Sequence, residues 1–69
     1  MTTLDLIVNG EPRTIPAPAT AAGLLEHLGL DPRMVVVELN GQIVRRPRLA
    51  EVGLQDGDLV ELVHFVGGG

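Results

Sequence analysis

The sequence predicts an α+β domain in which one mixed β-sheet of about five strands packs on one main helix. The dipeptide Asn-Gly occurs twice, at Asn9-Gly10 and Asn40-Gly41, and apolar strand-like segments flank each copy. Between these two hairpins lies one leucine-rich segment with helical spacing, residues 24–28. A hairpin, a helix and a further hairpin are typical of a sheet that a helix covers on one face.

The first predicted hairpin joins strands at residues 4–8 and 11–15. The apolar residues of the first strand suit a pleated, half-buried segment. Asn-Gly is the strongest short hairpin signal, because both positions of the tight turn need a positive φ. In the return strand Pro12 lacks an N–H group, so we expect this strand at an edge of the sheet.

One helix is predicted over residues 21–28. Thr20 is a suitable N-cap, because its hydroxyl can accept a hydrogen bond from an N–H of the first turn. Gly29 suits the left-handed position that follows many helices. The apolar face has three leucines at helical spacing: Leu24, Leu25 and Leu28.

The second half of the chain predicts three more strands, over residues 34–39, 42–44 and 59–66. Residues 45–48 are expected to be irregular, and residues 49–52 to form one short helical turn. The long connection between the first and last strands permits a crossover, so we expect these two to pair in parallel at the centre. This order of elements is the β-grasp arrangement.

Composition narrows the function classes. The chain has 69 residues, a net charge of −4 and no cysteine, which removes zinc–thiolate sites and cysteine nucleophiles. The acidic balance argues against a nucleic-acid partner. No apolar run could span a membrane and the N-terminus lacks signal-peptide features, so we expect a cytoplasmic protein. Neither a nucleophile–base pair nor a metal-ligand cluster is evident, so we expect no catalytic residues, no metal and no enzyme.

Three glycines, Gly67, Gly68 and Gly69, follow the last predicted strand. We expect residues 1–66 to form the β-grasp domain and residues 67–69 to form a flexible tail. Glycine lacks a Cβ and suits close approach of the backbone to another protein. Three residues span about 10 Å, which suits insertion into a neighbouring active site. The tail by itself leaves open that it is a frayed end or a cloning scar.

Strand alternation predicts an apolar surface near these glycines. In the last strand Val60 and Leu62 are expected to face the helix, whereas Val63 and Phe65 face the other way. Ile7 is expected to point outward from the first strand. We therefore predict a partner-docking patch of Ile7, Val63 and Phe65, because exposed apolar patches often mark partner surfaces. The alternative is that these are scattered exposed residues, which are normal on proteins.

The chain resembles a known family along its whole length. The order of its elements and its glycine ending resemble ubiquitin-like β-grasp proteins. Asn40-Gly41 with Val44 close behind, the turn Asp56-Gly57-Asp58 and the ending 66–69 are similar to the ThiS family, the sulfur carriers of thiamine biosynthesis. One departure lies after Val44, where the family has a Pro-Arg pair and this chain has residues 45–47 as Arg-Arg-Pro.

The resemblance implies a carrier protein that binds no cofactor itself. A ThiF-like, E1-like adenylyltransferase would use ATP and magnesium to adenylate the carboxylate of Gly69. A cysteine desulfurase or similar donor would then supply sulfur, which gives a thiocarboxylate. A ThiG-like thiazole synthase would take that sulfur into the thiazole ring of thiamine. Two alternatives stay open: a MoaD-like carrier for molybdopterin or another thiolated product, and a non-reactive, TGS-like β-grasp binding module.

Overall fold

The computed structural model describes residues 2–65 and contains one five-stranded sheet packed on one α-helix. The strands are β1 (Thr3–Val8), β2 (Glu11–Pro16), β3 (Val35–Leu39), β4 (Gln42–Val44) and β5 (Leu59–His64). The helix α1 spans Ala21–His27, and two 3-10 turns span Pro32–Met34 and Arg46–Arg48. The predicted α+β, β-grasp class is confirmed.

The sheet has the strand order β2-β1-β5-β3-β4, which makes β5 the central strand. β5 pairs in parallel with β1, where Ile7 lies opposite Leu59 and Val8 opposite Val60. All the other pairs are antiparallel. The predicted parallel pairing of the first and last strands is therefore confirmed. β2 lies at one edge, as predicted from Pro12, where a missing N–H costs no ladder hydrogen bond.

Both Asn-Gly pairs form turns with the predicted backbone conformation. The φ angles are 51° at Asn9, 81° at Gly10, 50° at Asn40 and 87° at Gly41. Positive φ at both central residues is the signature of the type I′ turn, whose twist matches that of the flanking strands. Each turn therefore sets the register of its hairpin, and the register decides which side chains face the helix.

The helix α1 is capped at both ends as predicted. The Thr20 hydroxyl accepts a hydrogen bond from the Gly23 N–H at 3.1 Å. At the other end Gly29 has a φ of 72°, and the Leu30 N–H donates to the Leu25 carbonyl at 2.9 Å. This is the Schellman arrangement, which satisfies carbonyls that the last helical turn leaves open. In residues 2–65 no helix has the length and apolar character needed to cross a membrane.

The core lies between α1 and one face of the sheet. Its buried apolar residues are Leu6, Val8, Ile15, Ala21, Leu24, Leu25, Val35, Val37, Leu49, Leu54 and Val60. The inward directions predicted for β1 and for Val60 are therefore confirmed, and Leu62 packs against this core as a half-buried residue. On the opposite face the outward residues of the strands are exposed or half-buried, so that face is open to solvent.

The prediction for residues 45–52 was wrong in one respect. The helical turn lies at Arg46–Arg48, upstream of residues 49–52, and these later residues continue it only as a non-helical turn. Proline lies in the first turn of this 3-10 helix, where its fixed φ suits a helical start and its missing N–H costs nothing. The buried Leu49, only 4% exposed, follows the turn and anchors it to the core.

The third strand begins one residue later than predicted, because Met34 belongs to the 3-10 turn Pro32–Met34. Asp31 caps this turn: its carboxylate accepts from the Arg33 N–H at 2.9 Å and pairs with the Arg33 guanidinium at 2.8 Å. The side-chain hydrogen bond from Arg33 is the main cause that lowers the pKa of Asp31 from 3.8 to about 2. Because the folded pKa is lowered, this pair stabilises the folded chain above pH 3.8, and that contribution is lost as the pH falls towards 2.

Candidate docking face beside the central strand

The predicted reactive residue Gly69, its neighbours Gly67 and Gly68, and the predicted domain boundary after residue 66 all lie outside the described residues. The structure does describe the strand that precedes them in sequence. β5 has β1 on one side and β3 on the other. Its pairing with β3 continues one residue past His64, because the Phe65 N–H donates to the Met34 carbonyl at 2.8 Å.

One asparagine side chain extends the support of β5 beyond the end of β1. The pairing with β1 stops at Val60. Farther along, the Asn9 side chain takes the place of a strand residue: its Oδ1 accepts from the Leu62 N–H at 2.7 Å, and its Nδ2 donates to the Leu62 carbonyl at 3.3 Å. β5 is therefore held on both edges as far as Leu62. Asn9 thus performs two roles, because it also supplies the positive φ of the first turn.

The start of β5 is held by the second turn asparagine and by an aspartate. Asn40 Oδ1 accepts from the Leu59 N–H at 2.9 Å, and Asn40 Nδ2 donates to Asp58 Oδ1 at 3.0 Å. The other carboxylate oxygen of Asp58 accepts from the Gln55 N–H at 2.8 Å. The turn before β5 is thereby fixed to the β3–β4 turn. Sequence reasoning used the two asparagines only for their φ angles and missed these side-chain contacts.

Ile7 and Val63 lie on the open face and Phe65 is adjacent to it, but the three do not form one compact cluster. Val63 and Phe65 are 57% and 49% exposed, whereas Ile7 is half-buried. Ile7 lies opposite Leu59 at the beginning of β5. Leu59 and Val63 are four residues apart in a strand, which separates them by roughly 13 Å. Ile7 and Leu59 therefore lie at one end of the predicted patch and Val63 at the other, with Glu61 between them.

Sequence reasoning missed two further exposed apolar residues on the open face. Leu59 is 54% exposed, and the alternation that placed Val63 outward could have identified it from the sequence. Ile43 is 65% exposed, but its place on this face depends on its pairing with Glu38 across β3 and β4. We use the name open face for the surface formed by these outward residues: Ile7, Val36, Glu38, Ile43, Leu59, Glu61 and Val63. Phe65 is adjacent to it.

The open face is the feature of the described domain that suits binding to a partner. Among residues 2–65 every buried side chain of the core is apolar, and no group of three His, Asp or Glu side chains is placed to hold a metal ion. The open face, by contrast, combines exposed aliphatic side chains with two glutamates, Glu61 on β5 and Glu38 on the neighbouring β3. Its chemistry is that of a contact surface.

Known proteins resemble this chain in sequence. The sequence model described as the ThiS family matches residues 6–69. The chain is 46% identical over 50 residues to the sulfur carrier protein ThiS of Bacillus subtilis, which covers 72% of this chain and 76% of that protein. It is also 46% identical over 66 residues to a thiazole synthase of Paramagnetospirillum magneticum and 47% identical over 66 residues to one of Magnetococcus marinus. Each match covers 96% of this chain but only 20% of the thiazole synthase.

A solved structure resembles the fold. The thiamine biosynthesis protein ThiS from Geobacter metallireducens superposes with a TM-score of 0.80 at 36% sequence identity. The match covers 96% of this chain and 100% of that one. The shared backbone fold therefore includes the sheet and the helix.

Proposed function

Because the chain belongs to the ThiS family over residues 6–69, we propose that it is a sulfur carrier protein of thiamine biosynthesis. The observation that carries this proposal is the 46% identity to the Bacillus subtilis sulfur carrier over 76% of that protein. The likeness in fold to the Geobacter metallireducens protein agrees with it. In this proposal the chain is the substrate of other enzymes and performs no catalysis itself.

The proposed chemistry takes place at Gly69. An E1-like, ThiF-like adenylyltransferase catalyses attack of the Gly69 carboxylate on the α-phosphorus of ATP, and pyrophosphate leaves. ATP and magnesium belong to that enzyme. A carboxylate is a poor electrophile, and the adenylate supplies a good leaving group. A persulfide from a cysteine desulfurase or similar donor attacks the acyl carbon, AMP leaves, and a thiol cleaves the S–S bond to give the thiocarboxylate. The chain has no cysteine, so the sulfur is held on the backbone carbonyl.

The proposed recipient of the sulfur is a ThiG-like thiazole synthase. Two relatives named thiazole synthase contain a region that matches 96% of this chain. That region makes up 20% of their own length. A carrier domain within the same polypeptide as its recipient would have a high effective concentration, without needing any new contact. We infer that this domain meets the same recipient through its surface. The adenylyltransferase and the sulfur donor follow from the family resemblance; these two and the cytoplasmic location stay proposals.

Intact-mass spectrometry tests the chemistry directly. The chain is incubated with the adenylyltransferase of the same organism, ATP, magnesium and a persulfide source. We expect one oxygen to be replaced by sulfur, and fragmentation to place the change on Gly69. Without ATP the chain is expected to stay unmodified, because its carboxylate has no adequate leaving group. Without the sulfur source the reaction is expected to stop at the acyl-adenylate, which pyrophosphate exchange detects.

The outcome of that experiment separates the proposal from its alternatives. A chain that stays unmodified under all these conditions would contradict the carrier function and favour a non-reactive binding module. A thiocarboxylate that the thiazole synthase does not consume would keep the carrier chemistry but favour a different thiolated product.

Substitution of Val63 or Phe65 by glutamate is expected to weaken partner binding without unfolding the chain. Both side chains are about half-exposed, so the free protein tolerates the charge. In a complex, an unpaired carboxylate within an apolar contact is costly, and we expect affinity to fall about tenfold or more. Calorimetry with the adenylyltransferase and with the thiazole synthase measures the loss, and Ala50→Glu, at an exposed position off the open face, is the control. Unchanged affinity for both partners in a folded variant would remove these residues from the interface.

A further inference from the structure

Two glutamates are directly opposite each other in the strand register of the open face. Glu38 and Glu61 are paired in the antiparallel register of β3 and β5. The salt bridges within residues 2–65 join Arg33 to Asp31 and Arg48 to Glu51, so neither Glu38 nor Glu61 has a cationic partner there. Like charges directly opposite in a sheet destabilise it. This pair therefore destabilises the free protein. A cation between the two carboxylates would remove that repulsion.

Apolar side chains surround this pair on the same face. Along β5, Glu61 lies between Leu59 and Val63, which are both more than half exposed. On the other side of β3, Ile43 lies opposite Glu38 and is 65% exposed. A protein surface that covered only these aliphatic side chains would bury two unpaired carboxylates, which is strongly unfavourable. The charge pattern therefore selects an occupant that presents a cation in the middle of an apolar contact.

We propose that the open face docks on the thiazole synthase through an arginine or lysine side chain that enters between Glu38 and Glu61. This assignment rests on the proposed function, which supplies the thiazole synthase as the partner. Arginine suits the position especially, because its planar fork can donate hydrogen bonds to carboxylates on both strands. The exposed residues Ile43, Leu59 and Val63 then pack around the ion pair and exclude water. Glu61 lies on the strand that leads to the glycines, so this contact also positions that strand against the recipient enzyme.

Removal of both glutamate charges is expected to raise the stability of the free chain and to weaken its binding to the synthase. In the double variant Glu38→Gln/Glu61→Gln the repulsion in the free chain is gone, so we expect a higher melting temperature. In the complex the same change leaves the partner's cation without its carboxylates, so we expect weaker binding. A pair with a merely structural role would change the melting temperature alone.

The test measures the binding of the full chain to the thiazole synthase of the same organism by calorimetry at low and high salt. For the double variant we expect affinity to fall about tenfold or more at low salt, with a smaller dependence on salt concentration, because interfacial charge pairs govern both quantities. The charge-reversed variant Glu38→Arg/Glu61→Arg is expected to bind more weakly still. The matched control is Glu11→Gln/Glu26→Gln, which changes net charge equally at exposed positions off the open face.

The outcomes separate this inference from the proposed function. Loss of affinity in the glutamine pair but not in the control supports the docking contact. If the unmodified chain binds and both double variants bind equally well, the docking contact is overturned while the carrier function stands. If the unmodified chain does not bind the synthase, the proposed recipient fails and this contact fails with it. A lower melting temperature for Glu38→Gln/Glu61→Gln would overturn the premise that the pair is repulsive.

Discussion

Removal of Gly68 and Gly69 is expected to abolish sulfur transfer and to leave the domain folded. The proposed reactive carbonyl belongs to Gly69, so the shortened chain has no group in the place where the activating enzyme acts. Within residues 2–65 the buried core residues all lie between Leu6 and Val60, and the two deleted glycines have no side chain to add to that core. Rescue of a thiamine auxotroph that lacks its own carrier measures function. Circular dichroism and thermal melting measure the fold.

The variant Gly69→Ala is the control for chain length in this experiment. It keeps a terminal carboxylate and adds only a Cβ. We expect this variant to bind the enzymes less well, because its tail can approach them less closely, but still to undergo the chemical step. Normal growth with the chain that lacks Gly68 and Gly69 would contradict the carrier mechanism. A lower melting temperature of the shortened chain would instead show that these residues contribute to the fold.

Leu24→Ala is expected to cause a large loss of stability, because it truncates one of the most deeply buried side chains of the core. Leu24 is 1% exposed and lies in the middle of the one α-helix that covers the sheet. Truncation of a fully buried leucine costs about 2–5 kcal/mol in free energy of unfolding, because apolar contact is lost and a cavity is left. In a domain of this size each 1 kcal/mol lowers the melting temperature by about 4–8 °C. We therefore expect a fall of at least about 8 °C.

The same substitution on the open face provides the comparison. Leu59 is 54% exposed, so Leu59→Ala is expected to change the free energy of unfolding by less than about 1 kcal/mol. Urea denaturation of both variants and of the unmodified chain measures the two losses on one scale. Equal losses for Leu24→Ala and Leu59→Ala would contradict the assignment of the helix side as the core and of the other side as open.

The turns and helix ends were predictable because their causes are local. Asn9-Gly10 and Asn40-Gly41 form their turns because Asn and Gly tolerate positive φ better than other residues do. Thr20 and Gly29 end the helix for equally local reasons, a hydroxyl acceptor and a missing Cβ. The 3-10 turn at Arg46–Arg48 is the exception, because burial of Leu49 helps to fix where that turn lies.

The candidate site was only partly predictable. Alternation placed Val63 and Phe65 on the outward face, and the structure agrees that both are exposed. The docking role of Ile7, Val63 and Phe65 stays a prediction, as does the chemistry at Gly69. Alternation within one strand reports which way a side chain points but not which side chain of another strand lies beside it. For that reason the place of Ile43 on the open face was not foreseen.

The sequence by itself determined the order of the strands and the main helix, the two hairpin turns, the helix caps and the inward faces of the first and last strands, because each depends on residues close together in the chain. Only the tertiary structure decided which residues of neighbouring strands lie beside each other. Glu38 and Glu61 are far apart in sequence and meet only because β5 pairs with β3 at one particular alignment. Asn9 reaches Leu62 only because β1 ends beside β5. Such contacts depend on how strands align across the sheet, and the periodicity of a single strand carries no information about that alignment.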